Sequence, residues 1–241
     1  MSRAPSRVDV YLEVGARRVF ACALGWPGWC RSGRDEADAL RALLDCGAAY
    51  AAVVRSARLG FAAPGRLRQL HVVERLPGNA TTDFGAPGVV PSADHATARP
   101  ADFARFEKIL RTAWRALDAA HRRARGKALR KGPRGGGRDL DAIVRHLVDA
   151  DRGYLSALGW KAPKPIDPAS RMDETRKAIL EALRASARGE IAATGPRGGK
   201  RWPVRYFVRR TAWHTIAHAW EIERRLAPAA GTVAAPPGKR R

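Results

Sequence analysis

Residues 202–224 read Trp-Pro-Val-Arg-Tyr-Phe-Val-Arg-Arg-Thr-Ala-Trp-His-Thr-Ile-Ala-His-Ala-Trp-Glu-Ile-Glu-Arg. No glycine interrupts this run. Its one proline, Pro203, sits at the start, where a helix tolerates it. The run predicts a helix of about six turns. On that helix His214 and His218 lie one turn apart on one face, where two imidazoles can share a metal. Glu221 follows His218 by three residues on the same face, and Arg210 precedes His214 by one turn. The helix therefore offers two ligands of a metal site, and the rest of the chain must complete it.

Three further segments carry helical periodicity. Phe103, Phe106, Ile109, Leu110, Ala113, Trp114, Leu117 and Ala120 predict a helix over 102–126, with Asp102 as N-cap. Leu140, Ile143, Val144, Leu147, Tyr154 and Leu155 predict a second over 138–158. After a proline-rich break at 161–168, Ile179, Leu180 and Leu183 mark a third over 171–187. Together with the opening run they make an up-down four-helix bundle over 102–226. Gly132-Pro133-Arg134-Gly135-Gly136 recurs as Gly195-Pro196-Arg197-Gly198-Gly199, each time ahead of a histidine-bearing helix. In an up-down-up-down order both loops lie at one end. The second and fourth helices then run parallel across the diagonal, and His146 can face His214 and His218.

Three imidazoles with open positions suit Zn²⁺, Ni²⁺ or Fe²⁺. Such an ion lowers the pKa of a water or thiol and so supplies a nucleophile at neutral pH. Asp149, three residues after His146, is a candidate to orient that ring, and Glu221, three residues after His218, is a candidate additional ligand, orienting partner or general base. The competing reading for both is a solvated helix carboxylate. Arg210 is a candidate clamp for a carboxylate or phosphate. Arg134, Arg138, Arg197 and Arg201, with Lys200, would line an anion-binding mouth at the two glycine-rich loops. The alternative is that these loops are only flexible turns. Trp202, Trp213 and Trp220 are assigned to the core.

The placement of His146 in Arg-His-Leu-Val-Asp, and of His214 and His218 in Trp-His-Thr-Ile-Ala-His-Ala-Trp-Glu, resembles the DinB superfamily of four-helix metalloproteins. That superfamily includes YfiT-like hydrolases and thiol-dependent transferases. It has one histidine on the second helix and a His-x-x-x-His pair on the fourth. The resemblance covers residues 102–226, about half the chain. It implies a divalent metal held by His146, His214 and His218, and a low-molecular-weight thiol as a candidate co-substrate.

The first hundred residues have a different character. Val8–Val14 alternates apolar and polar residues, the pattern of a half-buried strand, and 18–24 reads as its hairpin partner across Gly15-Ala16-Arg17. Residues 25–33 read as a loop, 35–50 as a helix and 69–76 as a third strand. The hairpin, Trp26-Pro27-Gly28-Trp29 and Ser32-Gly33-Arg34-Asp35-Glu36-Ala37 resemble the HicB-like antitoxin domain. Trp29 ahead of the cysteine departs from that pattern. The expected architecture is α+β: a HicB-like domain over 1–76, a linker over 77–101, the bundle, and a flexible basic tail over 227–241.

The chain carries a formal net charge of +22, and the halves differ. Residues 1–100 hold 13 basic and 9 acidic side chains, and residues 101–241 hold 32 and 14. The excess favours a small anionic molecule near the second half. Nucleic acid is compatible but not favoured, and a homodimer is compatible. No apolar run reaches the ~18–20 residues that span a bilayer. Three cysteines argue against a disulfide framework, and the cytoplasm is the expected compartment. The leading expectation is a metal-dependent hydrolase or thiol transferase. The rival is a regulatory or nucleic-acid-binding protein with a structural metal.

Overall fold

The computed structural model describes residues 7–131, 136–161 and 170–226. Arg134, most of the proline-rich break and the basic tail lie outside them. The order is α+β, with a four-stranded mixed sheet followed by a set of long helices.

β1 (Val8–Val14) and β2 (Val19–Ala23) form the expected hairpin, closed by Gly15 N–H donating to Arg18 C=O at 2.9 Å. β3 (Cys30–Gly33) pairs antiparallel with β2, and β4 (Leu70–Pro77) pairs parallel with β1. The sheet order is β3-β2-β1-β4. β3 lies where a loop was expected, because Pro27, Gly28 and Gly33 mask a four-residue edge strand. Cys22 and Cys30 sit opposite each other on β2 and β3 and are joined in a disulfide. That corrects the expectation drawn from the odd cysteine count. Cys46 is free.

β1 is not half-exposed. Val8, Val10 and Leu12 pack towards Ala39 and Leu43, while Tyr11 packs with Phe20, Cys22 and Cys30 beside Trp213. Even Glu13 is fully buried. Its carboxylate accepts from Thr82 Oγ1, Gly88 N–H and Val89 N–H, which replaces its lost hydration.

The helix expected over 35–50 divides at Cys46 into α1 (Glu36–Asp45) and α2 (Gly47–Val54). Asp35 caps α1 by accepting from Asp38 N–H at 2.8 Å. Residues 77–101 are held to both parts of the chain. α3 (Ala80–Phe84) brings Asp83 to the N–H groups of Ala16 and Arg17. A 3₁₀ turn, Ser92–His95, buries Asp94 against Arg209.

Four long helices follow: α4 (Pro100–Ala124), α5 (Leu140–Leu158), α6 (Arg171–Ala187) and α7 (Val204–Leu226). α4 begins at Pro100, so Asp102 is its third residue and not its N-cap. There Asp102 accepts from Arg99 N–H at 2.8 Å and from Arg205 at 2.6 Å. Around the bundle the neighbours run α4–α7–α5–α6. Asp102 meets Arg205 at one end and Arg123 meets Glu223 at the other, so α4 and α7 are parallel. Trp202 N–H donates to Ala157 C=O while His146 meets His214, so α5 and α7 are antiparallel. Arg176 binds Asp118, which sets α6 antiparallel to α4.

The order is therefore up-down-down-up, not up-down-up-down. α5 and α6 thus run parallel, a direction that calls for a long connection between them. The second and fourth helices are antiparallel neighbours, not parallel partners across a diagonal. The sheet docks on the same bundle: its core includes Ala113 of α4 and Ile216 of α7, with Trp220 packed against them.

Candidate metal centre

α7 presents Tyr206, Arg210, His214 and His218 one turn apart, Trp202 precedes the helix, and this line of side chains faces α5. From α5, Tyr154 reaches it. The Tyr154 ring lies 5.3 Å from Trp202 and 5.8 Å from His214, centroid to centroid. His146, two turns earlier on α5, meets the histidines themselves.

The three imidazoles converge through one nitrogen each. His214 Nε2 lies 3.1 Å from His146 Nε2 and 3.1 Å from His218 Nε2. All three ligand atoms fall within 4.8 Å of one another. Two nitrogens bound to one ion at about 2.0–2.1 Å would stand about 3.0–3.4 Å apart, so the spacing fits a shared cation.

The electrostatics favour neutral rings at His214 and His146. His214 is held well below the usual imidazole range by burial first, then by the charges of His218, Arg210 and His146. Burial, followed by Arg138 and His218, also lowers His146 against the pull of Asp149 and Glu221. Neutral imidazole is the form that binds metal.

His218 Nδ1 donates to Glu221 Oε2 at 2.7 Å, and Arg225 Nη1 donates to Glu221 Oε1 at 2.8 Å. The His218 hydrogen bond, more than any other contact, holds the Glu221 carboxyl below its ordinary range. This chain fixes the His218 tautomer with Nε2 free for an ion. His214 has no such partner. Its Nδ1 is buried and unbonded, and its ring is set instead by Tyr154 and by stacking with Trp213.

The other residues singled out from sequence divide sharply. Arg210 is 8% exposed, lies over Trp213 at 4.6 Å and Tyr154 at 5.2 Å, and keeps Nη1 buried without a hydrogen bond. Arg138 is exposed, and its charge reaches both His146 and His214. Asp149 is exposed and makes no hydrogen bond to His146; its charge alone is felt there.

Arg197 and Arg201 do not belong to this site. Because α5 and α7 are antiparallel, the loop before α7 opens at the opposite end of the bundle from the loop before α5. Arg201 there donates to Ala192 C=O at 3.1 Å, and Arg197 is exposed. The expected common mouth of two loops is thereby replaced by a single end, the one that carries Arg138.

Sequence reasoning missed Asp151. It is 3% exposed, its Oδ1 has no partner, and burial, opposed by Arg176, pushes its pKa up to about 7. The signal was present: Asp151 interrupts the apolar line Ile143, Leu147, Leu155, Leu158 at a core position. No protein-family model, curated protein or solved structure matches the chain.

Proposed function

We propose that the chain is a DinB-like divalent-metal protein, with His146, His214 and His218 as ligands, and that it works as a metal-dependent hydrolase or thiol-dependent transferase on a small anionic substrate. The observation that carries this is the convergence of three imidazole Nε2 atoms from two antiparallel helices. The α+β part that precedes the bundle is HicB-like in this reading and braces α7 from behind.

A divalent ion bound there supplies Lewis acidity and lowers the pKa of a water or thiol. Glu221 holds the proton on His218 Nδ1 and is itself held by Arg225. Tyr154 and Trp213 exclude water from the His214 side. Arg210, with a buried N–H that no atom of the described residues accepts, supplies positive charge beside His214.

Metal analysis tests the reading directly. The chain equilibrated with Zn²⁺, Ni²⁺ or Fe²⁺ and then desalted retains about one equivalent of ion, and His214→Ala and His218→Ala retain none. A parent chain that holds no ion under these conditions sinks the proposal. If chelation unfolds the bundle and no turnover accompanies the ion, the regulatory rival with a structural metal gains.

A further inference from the structure

The end of the bundle that carries the histidines has a cleft of about 370 Å³ beside the glycine-rich segment that precedes α5. Arg130, Lys131, Gly137, Glu221, Arg224 and Arg225 line it. Four of these are cations and one is an acid. That acid is neutralised in place, since one carboxylate oxygen accepts from His218 and the other from Arg225.

The cations fall into two pairs with different duties. Arg130 and Arg225 build the walls. Arg130 donates to the Arg224 C=O at 2.6 Å, and Arg225 Nε donates to the Arg130 C=O at 2.7 Å. Gly137 lets the chain pass over Arg225: a Cβ there would stand 2.9 Å from Arg225 Nη2. Lys131 and Arg224 are exposed and make no side-chain hydrogen bond or ion pair among the described residues. A recess whose walls are fixed by arginines, and whose two remaining cations lack counter-charges, is built for an anion. A lysine point charge beside a guanidinium fork suits phosphate. The recess is the size of a small-molecule site, far short of a nucleic-acid track.

We propose that this cleft seats the phosphate of a small phosphomonoester, with Lys131 and Arg224 as its binding residues and Glu221 as the link to the histidine centre. Phosphate binding stands on the cleft alone. Its role as the substrate's anchoring group rests on the metal-enzyme reading above.

The test uses the full chain with metal chelated, titrated at low ionic strength with inorganic phosphate and followed by calorimetry. The parent binds with a dissociation constant below about 1 mM. Lys131→Ala and Arg224→Ala each weaken binding about tenfold. Lys200→Ala, which removes the same charge at the opposite end of the bundle, leaves it unchanged, and so does His214→Ala. Equal weakening by Lys200→Ala would mean a diffuse response to net charge and would overturn the proposal, as would a parent that does not bind phosphate. Phosphate binding that survives in a chain shown to hold no metal keeps the cleft and discards only its catalytic role.

Discussion

The sheet-facing side of α7 and its α5-facing side bury neighbouring arginines under opposite terms. Arg209 turns to the sheet. It makes two hydrogen bonds to Asp94, at 2.7 and 2.8 Å, and donates to the carbonyls of Ala23 and Leu24 at 2.8 and 2.9 Å. Arg210, one residue on, turns to α5 and finds only aromatic faces, with Nη1 left unbonded. The first pattern is what a fold requires of a buried charge. The second leaves a charge unmatched beside three histidines, at a cost the fold does not recover. Within one helix, satisfied polarity therefore marks the structural side and unsatisfied polarity the side to be filled from outside.

The largest effect that could break this contrast is on stability. Arg209→Ala strands the Asp94 carboxylate, only 2% exposed, and should cost about 3–5 kcal/mol in chemical denaturation. Arg210→Met removes an unpaired charge, so its stability should stay within about 1 kcal/mol of the parent or rise. Equal losses for the two variants would erase the distinction.

Asp151 gives a comparable effect with a pH signature. Its folded pKa, about 7, lies above the ordinary aspartate value, so the unfolded state ionises first as pH rises. The folded state is therefore favoured at acid pH, and this contribution is lost as pH climbs from about 4 through 7, by roughly 3–5 kcal/mol in all. Asp151→Asn should flatten that slope in denaturation series at pH 4.5 and 7.5. A slope as steep in the variant would assign the effect elsewhere.

Smaller effects separate the two carboxylates that follow the histidines. Glu221→Gln breaks the charge-assisted bond to His218 and should weaken metal binding about 10–100-fold by competition with a chelating dye. Asp149→Asn, exposed and unbonded to His146, should change affinity by less than about threefold. A loss at Asp149 matching that at Glu221 would mean the resting geometry misses a second-sphere contact.

These carboxylates also mark how far the sequence could be read. The helices, the hairpin and the three converging histidines were legible, because periodicity and one-turn spacing are local properties of the chain. The bundle's order was not. An apolar stripe says that a helix has a partner without saying which one, and contacts distant in sequence, such as Asp102 with Arg205 and Trp202 with Ala157, decide it. With that order went the mouth: Arg197 and Arg201 were assigned by analogy between two loops that prove to lie at opposite ends. Spacing alone could not separate Glu221 from Asp149, since both stand three residues after a histidine and only one faces inward. The same limit hid Lys131 and Arg224, whose significance depends on what surrounds them. Asp151 and β3 were readable in principle, the first as an acid in an apolar line. The second was overruled by its own turn residues.

One consequence follows from the core shared by the sheet and the bundle. Ala113 and Ile216 belong to helices of the bundle yet pack in the sheet's interior, and Gly28 lies so close to α7 that a Cβ there would stand 2.8 Å from Ile216 Cδ1. Neither half can loosen without uncovering the other. Heating should therefore melt them in a single calorimetric peak, and a chain severed near residue 101 should yield two insoluble fragments in place of two working modules. The three histidines then draw their rigidity in part from a sheet that lies outside their cluster, and on the proposed reading damage to that sheet would be felt first as weaker metal binding.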